Sequence, residues 1–214
     1  MRNTFNTQLD TLNAELVRMG TLCERAIAMS VGILTNRDSS DIENVLETDT
    51  EIDRLERDIE GLCMKLILHQ QPVASDLRKI SSALKMISDM ERIGDQASDI
   101  AEIARYIIGS SADNANNIKE MAKDAVKMVS ECVDAFVKND LAAARRVIEY
   151  DDVVDNWFVK IKNELTELIS KNNSAGEYYI DLLMIAKYLE RIGDHATNIS
   201  EWVEYSITGK HPKA

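Results

Sequence analysis

One twelve-residue stretch occurs twice and restricts the fold more than any other feature. Glu91-Arg92-Ile93-Gly94-Asp95-Gln96-Ala97-Ser98-Asp99-Ile100-Ala101-Glu102 returns as Glu190-Arg191-Ile192-Gly193-Asp194-His195-Ala196-Thr197-Asn198-Ile199-Ser200-Glu201, identical at eight of the twelve positions. On an α-helix, residues separated by one, two and three turns fall close to one line. Glu91, Asp95, Asp99 and Glu102 therefore share a narrow stripe, as do Glu190, Asp194, Asn198 and Glu201. Ile93, Ala97, Ile100 and Ala104 occupy another face, answered by Ile192, Ala196, Ile199 and Val203. An acidic stripe beside an apolar one is thus built twice. Like charges four residues apart cost a helix roughly 0.2–0.5 kcal/mol per pair. Something positive should compensate: an arginine, a partner or a bound cation.

The repetition extends well beyond this stretch. An offset of 102 aligns Asn36-Arg37-Asp38 with Lys138-Asn139-Asp140, and Asp49 and Asp53 with Asp151 and Asp155. The third segment of each half follows an offset of 99, so the second inter-helix loop is shorter and lacks the Pro72 turn. Apolar residues at helical spacing predict helices over about 9–34, 41–69, 77–108, 118–137, 141–170 and 177–207. Ser40 with Glu43, and Ser174 with Glu177, suggest capping boxes, and Ser75 or Asp76 suggests a third cap. The small polar run from Gly109 to Asn117 is the expected junction. Three helices with short loops pack most simply as an antiparallel bundle. The expected fold is all-α, two tandem antiparallel three-helix bundles with no strands, divided as residues 1–110 and 111–214.

A formal net charge of -12 argues against nucleic acid and against direct docking on anionic lipid. The amino-terminal residues lack the apolar core of a secretion signal, and no apolar run is long enough to span a bilayer. Cys23, Cys63 and Cys132 form no paired metal motif and read as reduced thiols in a cytosolic protein.

Four acidic pairs at helical i, i+4 spacing carry the chemistry: Asp49/Asp53, Glu91/Asp95, Asp151/Asp155 and Glu190/Asp194. Each half has one pair on its second helix and one on its third, which antiparallel neighbours can bring face to face. Oxygen-only donors suit hard cations such as Mg²⁺, Ca²⁺, Mn²⁺ or iron; Zn more usually recruits His or Cys, and His is scarce here. The plainer alternative is a solvated acidic face neutralised by Arg92 and Arg191, which otherwise could contact a phosphate-bearing partner. Gly94 and Gly193 sit mid-helix, where Gly costs about 1 kcal/mol against Ala, and are expected to permit close helix approach. His69, His195 and His211 follow no metal spacing, and His195 is expected to be an ordinary, partly exposed histidine. No phosphate-binding glycine loop, no GxSxG and no Glu-x-x-His occurs, which argues against a ferritin-like oxidase.

These residues resemble the PhoU family of phosphate-transport regulators over nearly the whole chain. The most specific parts are Gln71-Pro72-Val73-Ala74-Ser75-Asp76-Leu77-Arg78, both copies of Glu-Arg-Ile-Gly-Asp, and the tail from Asn198 through Tyr205 to Gly209. The resemblance implies that the four acidic pairs hold multinuclear metal clusters, notably iron, on the bundle surface, with Asp99, Glu102 and Glu201 as additional ligands. Asn198, standing where the first half has Asp99, leaves the second site one charge weaker. It further implies a non-enzymatic cytoplasmic adaptor, self-associating as a homodimer. Its implied partners are the ATPase subunit of a phosphate ABC transporter and the sensor histidine kinase of the phosphate-starvation response. Two other readings use the same carboxylates differently: a dinuclear-metal hydrolase or oxidase, and a metal-free helical scaffold.

Overall fold

In the computed structural model the chain is described at residues 2–70, 72–108, 116–171 and 175–211, with backbone alone at 2–4, 69 and 70. These residues form six α-helices: α1 Arg2–Asn36, α2 Ile42–Gln70, α3 Ala74–Ile107, α4 Asn116–Lys138, α5 Leu141–Lys171 and α6 Gly176–Thr208. No strand occurs among the described residues. All six expected helices are present as two antiparallel three-helix bundles. α1 begins seven residues earlier than its periodicity indicated, because Phe5 is buried and extends the apolar face by a further turn.

The turns repeat as the helices do. Arg37 (φ 56°) and Asn139 (φ 51°) are left-handed at equivalent positions. Asp38 and Asp140, one residue later, supply the caps: Ser40 N–H donates to Asp38 Oδ1 at 2.9 Å, and Ala143 N–H to Asp140 Oδ1 at 2.9 Å. The cap before α2 is therefore Asp38, not Ser40, whose residue lies inside a 3-10 turn, Ser39–Asp41. α3 likewise starts before its expected caps. Val73 is the extended residue ahead of it, and Leu77 N–H closes the first turn on the Val73 carbonyl at 2.9 Å. Asp76 thus lies in the first turn, where its charge suits the helix dipole. Asn116 and Asn117, expected in the junction, are helical; Ser174, Gln71 and the rest of the junction lie outside the described residues. Gly209, left-handed at φ 76°, ends α6 by donating its N–H to the Tyr205 carbonyl.

Helices α2, α3, α6 and α5 lie side by side in that order, backed by the pair α1 and α4. The halves meet where α3 packs on α6 and α1 on α4. Small residues allow the second of these approaches: a Cβ on Gly20 would stand 3.1 Å from Val133 Cγ2. The expected apolar faces form one continuous core, with Leu12, Leu16, Met19, Ile27, Ile52, Ile59, Met121 and Val129 essentially sealed from solvent. The three cysteines are buried and free, and Cys23 Sγ donates to the Met90 carbonyl. Burial pushes the Cys63 thiol up to about 12, so it is an unreactive packing group.

Candidate functional site

In the first half, α2 brings Asp49 and Asp53 to the acidic stripe of α3. The decisive contact is between Asp49 and Gly94. A Cβ on Gly94 would lie 2.7 Å from Asp49 Oδ1 and 3.1 Å from Ile52 Cδ1. Only a glycine leaves room for a carboxylate to lie directly on the neighbouring helix. That Oδ1 is buried and has no hydrogen-bond partner among the described residues. Burial, followed by the charges of Asp95, Asp53 and Asp99, holds the Asp49 carboxyl above the usual range; nearby Ser98 offsets part of the rise. Glu91 is raised for the same first reason, then by Asp95. Asp99 is raised by burial and its acidic neighbours, while the Tyr188 hydroxyl and Arg191 act the other way. Arg92 meets the stripe directly, with Nη1 3.0 Å from Asp95 Oδ2 and Nε 3.4 Å from Glu91 Oε2.

The second half repeats the arrangement with looser fit. A Cβ on Gly193 would stand 3.2 Å from Asp151 Oδ1 and 3.3 Å from Val154 Cγ1. Burial, then Asp155 and Asp194, pushes Asp151 up to about 6, with Thr197 lowering it slightly. Asp155 and Asp194 are exposed yet also raised, by burial first and then by Glu190. Here the local counter-charge is Lys187, which bonds Glu190, rather than Arg191. Position 187 answers Ser88 in the first half, which instead donates to Glu56 Oε1 at 3.1 Å.

The two stripes differ at their far ends. Glu102 is exposed, whereas Glu201 is buried at 5% exposure. Asn198 does not stand in a charge-poor site: its Nδ2 donates to Asp89 Oδ1 at 3.2 Å, and His195 Nδ1 lies 2.8 Å from the same oxygen. Asp89 belongs to α3, so the first half lends a carboxylate to the second. His195 is partly exposed, as expected, and it also makes a contact across the two halves. Sequence reasoning missed Asp89 because its repeat counterpart is Tyr188, which itself faces Asp99 across the same joint. His211 packs on Trp202 at 4.5 Å between ring centroids.

Asp76 and Arg78 lie apart from the carboxylates. Arg78 Nε is 3.6 Å from the place a Cβ on Gly209 would take. The start of α3 and the end of α6, two stretches distant in sequence, are thus one packing unit. Trp157 is likewise structural: its Nε1 and the Tyr150 hydroxyl both donate to Asp124, each at 2.8 Å.

An open cleft of about 710 Å³ lies between α2, α3 and α6, with Asp49, Asp95, Asp99 and Glu102 on its walls and Arg92 and Arg191 at its edge. Among the described residues no three His, Cys, Asp or Glu side chains stand ready to grip one ion. The donor set and the unpartnered Asp49 oxygen nonetheless fit a hard cation that keeps part of its water shell, as Mg²⁺ does when only one or two carboxylates touch it.

The PhoU domain family matches the chain twice, at residues 16–104 and 118–203. The chain belongs to the PhoU family. Both matches contain the acidic pairs and the paired glycine. The chain is 37% identical to the phosphate-specific transport system accessory protein PhoU homolog of Clostridium acetobutylicum, over 98% of this chain and 96% of that protein. It is 33% identical to PhoU homolog 1 of Thermotoga maritima, over 98% and 91%. The crystal structure of PhoU from Pseudomonas aeruginosa superposes with a TM-score of 0.91 at 35% identity, covering 96% of this chain and all 100% of that one. The phosphate transport system regulatory protein PhoU from Streptococcus pneumoniae gives 0.89 at 25% identity, over 97% and 98%. No helix among the described residues is long and apolar enough to cross a membrane.

Proposed function

We propose that this PhoU chain is a non-enzymatic, cytoplasmic, metal-binding regulator of phosphate uptake and of the phosphate-starvation response. The observation that carries the metal part is the Asp49 Oδ1, buried without a hydrogen-bond partner against Gly94; Asp151 approaches Gly193 in the same way, without the orphaned oxygen. Leaving such an oxygen unsatisfied costs about 1–3 kcal/mol or more, which a coordinated cation would offset. Asp49, Asp53, Glu91, Asp95 and Asp99 are the ligands assigned to the first centre, with Glu102 at its rim. Asp151, Asp155, Glu190 and Asp194 are assigned to the second, with Glu201 beside them. Iron, Mn, Mg or Ca suits these oxygens better than Zn.

The regulatory part rests on the relatives, named as accessory and regulatory proteins of phosphate transport. Its partners in this reading are the transporter's ATPase subunit, a sensor histidine kinase and a second copy of the chain. Apolar side chains left open at the α2–α3 turn, Leu68 at 70% and Val73 at 62% exposure, support a docking role. An enzymatic reading would need a general base beyond the ligands; the imidazole that lines the cleft, His195, holds its Nδ1 against Asp89 in the contact between the halves. The test is genetic. In a strain carrying only the Asp49→Asn, Asp151→Asn double variant, phosphate-responsive genes should be expressed in phosphate-rich medium as in a deletion strain. Normal repression by that variant, at normal protein level, would contradict the metal-dependent regulator.

A further inference from the structure

We infer that the groove between the end of α1 and the start of α4 docks an acidic amphipathic helix of another protein. The inference does not rest on the cation reading, since α1 and α4 form the layer behind the row that carries the acidic centres. The two helices run antiparallel, close together at Gly20 and Val133 and parted further along by an open groove of about 430 Å³. Its floor includes Ala28, Gly32, Ala122 and Val126. Gly32 differs from Gly20, Gly94 and Gly193, whose Cβ positions would lie 3.2 Å or less from a neighbouring side chain; a Cβ on Gly32 would meet only Asn36 Nδ2, at 3.9 Å. Glycine disfavours a helix, and here no other element of the chain uses the room it leaves.

Charge identifies the partner. The chain has 37 acidic residues against 25 lysines and arginines, yet the only charged residues lining the groove are Lys119 and Lys123. The α1 wall brings no acid either: from Arg25 to Arg37 there are two arginines and no Asp or Glu. Lys119 is exposed and makes no ion pair among the described residues. Lys123 meets Glu120 at 2.6 Å in an exposed pair one turn apart, which is worth little and is readily exchanged. A partner drawn to the rest of this surface would be basic, whereas one fitted to the groove is apolar inside and acidic at the edge. Shape selects a helix. Ala28 to Asn36 spans about 12 Å, two helical turns, and an apolar ridge at i, i+3 and i+4 settles into a groove of that kind. Lys119 and Lys123 stand one turn apart and so match carboxylates at i, i+4 on a helix laid along α4. An acyl chain with a single anionic head would answer only one of them.

Fluorescence anisotropy on the full chain tests this with a labelled helical peptide that carries leucine along one face and glutamate along one edge. A twin with lysine for every glutamate is the control. The glutamate peptide should bind at this groove despite the protein's net charge of -12. Lys119→Glu with Lys123→Glu should weaken it at least about tenfold, since like charges then face each other, and should not weaken the lysine peptide. Ala28→Trp, which fills the floor, should weaken the glutamate peptide as much with both lysines in place. Ala28 and the two lysines are exposed, so wild-type melting temperatures are expected; should Ala28→Trp melt lower, the lysine reversal alone decides. No saturable binding of the glutamate peptide, or affinity undiminished by the lysine reversal, overturns the inference. So does decanoate binding that Ala28→Trp abolishes where the peptide does not bind, which would assign an acyl ligand. A chain that dimerises in ultracentrifugation until Ala28→Trp is introduced would assign the groove to a second copy and overturns it as well.

Discussion

Gly94 and Gly193 each cost their helix about 1 kcal/mol against alanine, yet they recur at equivalent positions. The space they leave is filled by the carboxylates of Asp49 and Asp151 and by the apolar residue three positions further along each outer helix. Close helix approach was legible from sequence, because a repeated mid-helix glycine has few other uses. That the approaching group would be a carboxylate with one buried, unbonded oxygen was not legible, since nothing in spacing says which side chain of α2 meets the gap. The two copies should respond differently to alanine. Gly94→Ala places a methyl 2.7 Å from Asp49 Oδ1 and should destabilise by about 1–3 kcal/mol, as overpacking does. Gly193→Ala, with its nearest atom at 3.2 Å, should lose less or gain slightly from helix propensity. Urea denaturation of both variants decides this; a Gly94→Ala protein more stable than wild type would contradict the tight contact.

Along the helices, the acidic stripes act as units. Glu91 and Asp99 on α3, Asp151 and Asp155 on α5, and Asp194 on α6 are all held above their ordinary range, by burial before mutual repulsion. Between the ordinary carboxylate value of about 4 and the folded value, the folded chain keeps protons that the unfolded chain has released. For Asp151, raised to about 6, stability is therefore fullest below that window and is lost as pH rises through it. Metal-free protein should melt at a higher temperature at pH 5 than at pH 7.5, and Asp151→Asn should flatten the dependence. A melting temperature that rises with pH over this range would contradict the repulsion. The helices themselves were readable from apolar periodicity, and the repeat offset foretold the paired turns at Asp38 and Asp140. Two features lay beyond it. Asp89 escaped because its repeat counterpart is a tyrosine, and the contact of Arg78 with Gly209 because α3 and α6 run antiparallel across a joint between halves.

At the scale of the molecule, the row α2–α3–α6–α5 gathers both acidic centres around the joint between the repeats. The all-α class and tandem bundles followed from the sequence, because each half repeats the same three amphipathic helices. The packing of one half on the other did not, since nothing in the spacing says that α3 meets α6 through Asp89 with His195 and Asn198. The account stands on cations bound by these carboxylates. A ligand that binds only the folded chain stabilises it by RT ln(1 + [L]/Kd), about 2.7 kcal/mol at a hundredfold excess over Kd. The most direct test titrates Mn²⁺ into the metal-stripped wild type, Asp49→Asn and Asp151→Asn, reading bound metal by elemental analysis and stability by melting temperature. The wild type should bind metal at both centres and melt higher, and each variant should lose one centre with its share of the rise. Equal metal content in all three proteins, or no change in melting temperature on loading, would contradict it.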